Sequence, residues 1–157
     1  MFTHIFLWTM LILPWFFLLF LDTKRVKSFS PGGLVSALLL TIVFQLYQRY
    51  HLVEVVQTIF PLTNTTPFVY GLYIVLPTIF LYFTFGNFWI YITINTISDA
   101  VFSFGIMNLY EYFGIYKMDD SIHIIIFITC IICASLIYLF QKWQYIDPYK
   151  WEVNQGL

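Results

Sequence analysis

IHIIIFITCIICASLIYLF, residues 122–140, runs for nineteen positions without an Asp, Glu, Lys or Arg. As an α-helix rising about 1.5 Å per residue it is roughly 28 Å long, close to the thickness of a bilayer's hydrocarbon core. A stretch of that length and purity reads as a membrane-crossing helix, and the rest of the chain repeats it.

Working outward, four more apolar runs precede this one, at residues 5–21, 31–50, 68–85 and 88–107. The first is interrupted only by Thr9 and Pro14 and ends at Asp22, Lys24, Arg25 and Lys27. A secretory signal peptide would begin with positive charge and close on small residues. Met1 to His4 has no Lys or Arg and the run closes on charges, so an uncleaved span is expected. Ser30 before Pro31 predicts the start of the second helix, with proline at the first helical position. Beyond it, Leu52, Val55, Val56 and Ile59 fall at helical spacing opposite His51, Glu54 and Thr58, which fits either a short interfacial helix over 51–60 or a second helix that runs on past the membrane. The third run carries Gly71 and Pro77, and Gly86-Asn87 reads as a tight turn. A polar loop is expected over 108–120, with Asp120 or Ser121 capping the last run, and the Trp- and Tyr-bearing tail 141–157 reads as an interfacial anchor.

Composition agrees with the runs. Of 157 residues, 61% are hydrophobic and 10% charged, whereas a soluble domain carries about 25% charged residues. The predicted fold is therefore all-α, a single polytopic transmembrane bundle over 1–157 whose exterior meets the lipid bilayer. A net charge of −1 gives no basic surface for nucleic acid. With five spans, one side receives Lys24, Arg25, Lys27, Lys142 and Lys150 and the other receives Arg49 and Lys117. The richer side is expected in the cytoplasm, which puts the N-terminus outside and the C-terminus inside.

The fourth run holds the candidate chemistry. Asn95, Thr96, Asp99 and Ser103 recur at spacings of three and four and share a helix face about 100° wide. Ile90, Ile94, Ile97, Val101 and Phe104 take the other face. A carboxylate near mid-membrane costs about 2.5–3.5 kcal/mol on insertion scales, so Asp99 is expected to face the bundle interior beside a partner. Thr41 and Gln45 on the second helix, with Arg49 as an outer-leaflet counter-charge, are the expected partners. Such a pocket would serve binding or passage of an ion or small solute, or would hold the helices together by hydrogen bonds.

Cys130 and Cys133 have the C-x-x-C spacing of thiol–disulfide chemistry, but they lie mid-span with nothing nearby to favour a thiolate, and Cys130 with Ala134 also suits close helix packing. His4, His51 and His123 with Glu54, Glu111, Asp119 and Asp120 offer metal-ligating groups without ligand spacing, so no metal or cofactor is expected. Asn64-Thr65-Thr66 matches a glycosylation acceptor.

The charged step Asp22-Thr23-Lys24-Arg25, the proline-interrupted aromatic third span and the closing Trp143, Tyr145 and Trp151 resemble the small uncharacterised multi-span membrane proteins of spore-forming Gram-positive bacteria. The resemblance implies a bacterial cell membrane and carries over no functional residue. The expected role is a non-enzymatic membrane component, a subunit or scaffold with other membrane proteins as partners. The alternatives are an ion- or solute-binding element at Asp99 and a thiol–disulfide enzyme at Cys130 and Cys133.

Overall fold

The computed structural model describes residues 2–60, 62, 67–118 and 122–144. Its elements are helices α1 (Phe2–Leu18), α2 (Thr23–Arg49), α3 (Pro67–Tyr70), α4 (Leu72–Thr84), α5 (Phe88–Val101), α6 (Met107–Tyr112) and α7 (Ile122–Gln144), with strands β1 (Val53–Val55) and β2 (Tyr116–Met118). One π-helical turn, Phe102–Ile106, joins α5 to α6. The fold is an all-α bundle. Four helical rods are long and apolar enough to cross a membrane: Thr23–Arg49, Pro67–Thr84, Phe88–Tyr112 and Ile122–Gln144. The first helix, α1, is apolar but has 17 residues, at the lower limit for a crossing.

Two boundaries differ from the sequence reading. The second helix begins eight residues before Pro31, because Asp22 caps it: its Oδ2 accepts from the Arg25 N–H at 3.3 Å. Pro31 lies inside the helix, where it removes one donor and disturbs the turn before it. The missing donor is the one the Lys27 carbonyl would accept, and the neighbouring Ser28 carbonyl accepts from Gln141 Nε2 of α7 at 3.0 Å. The expected interfacial helix over 51–60 is not formed. His51 turns the chain with φ of 56°, and Val53–Val55 pairs antiparallel with Tyr116–Met118, setting Glu54 opposite Lys117. Non-local strand pairing supplies the backbone partners that a helix would have supplied locally. Residues 108–112, expected as loop, continue the fourth rod. The predicted cap at Asp120 or Ser121, the sequon at Asn64 and the tail beyond residue 144 lie outside the described residues.

Close approach sets the packing. A Cβ on Gly33 would strike the Ile74 carbonyl oxygen and Thr78 Oγ1, so only glycine lets α2 lie directly on α4. Gly71, at the joint between α3 and α4, touches the Met10 and Leu11 carbonyls of α1 in the same way. The second helix packs on α4 and α7, and α5 packs on the same two helices, so α2 and α5 occupy diagonal corners of a four-cornered bundle with α1 flanking α3 and α4. The Gln141–Ser28 bond and the Arg25 guanidinium, 4.7 Å from the Tyr82 ring centre, gather Lys24, Arg25, Lys27 and Lys142 at one end. Arg49 and Lys117 lie at the other end, with the strand pair.

Candidate functional site

Asn87 fixes how α5 is turned. Its Oδ1 accepts from the Ile90 N–H at 3.3 Å, and Gly86, at φ of 106°, sharpens the turn before it. From that start Tyr91, Asn95 and Asp99 fall on the buried face at four-residue spacing. Asp99 is 7% exposed and Ile97 is 61% exposed, so the acid faces the bundle and the isoleucine faces outward. Thr96 is half-buried beside the stripe.

The polar stripe does not stay together. After Val101 the helix widens to a π turn, with the Met107 N–H bonding the Phe102 carbonyl five residues back. The turn delivers Ser103 to α7, where its hydroxyl donates to the His123 carbonyl, and His123 Nδ1 lies 2.8 Å from the Ser103 carbonyl. Ser103 is thus fully engaged in joining the fourth rod to α7. Asn95 donates from Nδ2 to the Tyr91 carbonyl at 2.8 Å, which leaves its own oxygen as an acceptor.

Asp99 lines a cleft of about 80 Å³ between α4 and α5. Leu72, Tyr73, Leu76, Pro77 and Phe80 form the α4 wall, and Asn95, Ser98, Val101, Phe102 and Ile106 form the other. Asp99 Oδ2 is buried with no hydrogen-bond partner. Pro77 has no N–H, so the Tyr73 carbonyl lacks its usual intrahelical donor in this wall. The polar groups of the lining residues are the Asp99 carboxyl, the Asn95 amide and the Tyr73 and Ser98 hydroxyls. No lining residue is a Lys, Arg or His. The Tyr73 hydroxyl is directed instead toward Cys130 Sγ on α7, 3.8 Å away.

The second helix does not supply the partners expected of it. Its buried face runs through Phe29, Gly33, Ala37, Leu40 and Phe44, the positions that meet α4 and α7. Thr41, on the flank of that face, donates to its own helix at the Ala37 carbonyl, 2.7 Å away. Gln45 and Arg49 are exposed, and none of the three lines the Asp99 cleft. Asn95 and Asp99 are brought together as expected, and the neighbour is α4. Sequence reasoning missed Tyr73 and Pro77. The signal was present: a proline four residues after a residue releases that residue's carbonyl inside the membrane.

Cys130 and Cys133 are both buried and unbonded to each other. Among the described residues no three His, Cys, Asp or Glu side chains come together as metal ligands would. No protein-family model, curated protein or solved structure matches this chain.

Proposed function

We propose that this chain is a multi-pass component of a larger assembly in the bacterial cell membrane, acting by binding through the Asp99 cleft. The observation that carries the reading is the buried, unpartnered Asp99 Oδ2 at the side of the bundle. Hydrocarbon makes an unsatisfied carboxyl costly, and a bundle that keeps one gains from a second molecule that satisfies it. In this reading the N-terminus is outside and the cluster of Lys24, Arg25, Lys27 and Lys142 faces the cytoplasm. The test is the mass of the chain tagged at native expression and extracted in mild detergent. The expected particle contains at least one different chain besides this one of 18.7 kDa. A monomer, or a particle made of this chain alone, contradicts the reading.

A second reading is favoured by one feature, the buried Asp99 carboxyl in so small a cavity with no Lys, Arg or His in its lining: the cleft holds a monovalent cation. It expects Na⁺ or K⁺ to raise the thermal stability of the purified chain, and Asp99→Asn to abolish that rise.

A further inference from the structure

Resting on the subunit reading, the geometry points to the occupant of the Asp99 cleft: a lysine or arginine side chain carried at mid-depth by a membrane-spanning helix of a different protein. Three observations lead there. The first is the demand. Asp99 is 93% buried, since 7% of its surface is exposed, and its Oδ2 meets no donor. Ionisable groups within spans pair with one another or with backbone groups, so the missing partner is a donor.

The second is that the chain cannot supply a cation. Its seven Lys and Arg stand at 24, 25, 27, 49, 117, 142 and 150, at the ends of the spans or beyond them. Asp99 lies eleven residues from Phe88 and thirteen from Tyr112, roughly 17–20 Å of helix from each end of its rod. A second copy carries its cations at the same depths and fails for the same reason. The complement therefore belongs to another chain.

The third is the direction of access. Val101, a residue of the cleft lining, is 60% exposed, and the next outward face of α5 carries Ile94 and Ile97. The mouth opens sideways, at a depth where the surroundings are hydrocarbon. A partner helix arrives by that route without crossing a water phase. The apolar rim matches the stem of a lysine or arginine, and the walls include the aromatic residues Tyr73, Phe80 and Phe102. A volume of about 80 Å³ suits the charged head of one side chain and excludes a whole lipid.

The test uses the full chain, labelled on a C-terminal tag, in vesicles of phosphatidylethanolamine and phosphatidylglycerol. The probe is a designed Leu/Ala helix of about 21 residues with one central lysine, and its control has leucine there. Energy transfer reports association. The lysine peptide is expected to bind about tenfold tighter than the leucine peptide. That advantage is expected to vanish in Asp99→Asn and in Val101→Trp, which keeps the acid but fills the mouth. It is expected to persist in Ile97→Trp, on the outer face. Asp99→Lys with an aspartate-centred peptide is expected to restore association, a result that general loss of fold cannot produce. Equal binding of the two peptides, or a lysine advantage that survives Asp99→Asn, overturns the inference. So does an Asp99-dependent gain in stability from Na⁺ alone without any peptide preference, which would make the cleft an ion site. If the native chain purifies with a different protein while the lysine peptide shows no advantage, this inference fails alone. If it purifies as a monomer, the subunit reading fails first.

Discussion

At Asp99 the side chain and the fold pull in opposite directions. Its burial contributes packing between α4 and α5, but its Oδ2 lacks a donor. Replacing it by leucine removes the unsatisfied group and keeps most of the volume. Asp99→Leu is therefore expected to stabilise the isolated chain by about 1–3 kcal/mol, read as a shifted midpoint in a detergent-denaturation titration followed by circular dichroism. A lower midpoint would show that the carboxyl is already satisfied. Gln141 carries both signs. Its Nε2 donates to the Ser28 carbonyl while its Oε1 is buried without a partner, so Gln141→Leu loses a bond worth about 0.6–2 kcal/mol but also removes an unsatisfied oxygen, and the net cost in the same titration is expected to stay below about 2 kcal/mol. A larger cost there would mean that Oε1 already has a partner. The acid itself was legible in the sequence, because a lone carboxyl among isoleucines has few explanations. Its surroundings were not. Helical spacing shows which residues share a face, and Asn95 and Asp99 do share one. It does not show which helix that face meets, so Gln45 was matched to Asp99 although it is exposed on α2.

The helices themselves were readable because hydrocarbon imposes length and purity on them, but their ends and joints depend on competitions that spacing alone does not settle. The second helix starts at Asp22 and not at Ser30, eight residues on, because the Asp22 carboxylate accepts from the Arg25 N–H and Pro31 inside the helix removes only the one donor that the Lys27 carbonyl would accept. The strand pair β1–β2 depends on residues more than sixty positions apart, which no local pattern of residues 51–60 reports. The π turn is the least visible joint and the most consequential one. It adds a residue to the fourth rod, so deleting Gly105, which has open space around it, should restore an ordinary α-helix. The wide turn takes up that extra residue, so the segment beyond would keep its face and draw closer by about 1.5 Å. Met107 and Tyr110, now 1% and 0% exposed, would stay in the core, and Asp99 would stay in its cleft. The expected result is a chain with a nearly unchanged midpoint whose Asp99-dependent peptide binding survives. Loss of that binding at an unchanged denaturation midpoint would place the π turn in the site and not in the packing. A second joint, the Gly33 contact, is expected to fail outright: Gly33→Val drives a branched side chain into the Ile74 carbonyl and should cost about 1–3 kcal/mol by the same titration.

Across the whole molecule, charge is arranged by depth. The described cations Lys24, Arg25, Lys27 and Lys142 share one end of the bundle with the Gly86–Asn87 turn, while Glu54, Glu111, Arg49 and Lys117 share the other with the strand pair. Helix packing could have broken this grouping, for instance by laying α7 parallel to α2. The bond from Gln141 to Ser28 instead sets the C-terminal end of α7 against the N-terminal end of α2. An excess of Lys and Arg on short segments close to the spans is what holds one end in the cytoplasm. The expected orientation therefore follows from the four clustered cations, and single cysteines can read it in a Cys130→Ala, Cys133→Ala background. Gly86→Cys should react with a membrane-impermeant maleimide only after the cells are opened, and Glu111→Cys should react in intact cells. Labelling of Gly86→Cys from outside would reverse the assignment. Replacing Lys24, Arg25 and Lys27 by glutamine leaves Lys142 and Lys150 on one side against Arg49 and Lys117 on the other, which removes the expected difference, and the Gly86 site should then label partly from both sides. The same substitutions leave Asp99 about ten helical residues away untouched, because screening and distance separate surface charge from the middle of the bundle. In the proposed reading the chain takes its direction in the membrane from one end and binds at mid-depth, so a partner helix would meet Asp99 only where its own charge is carried at the same level.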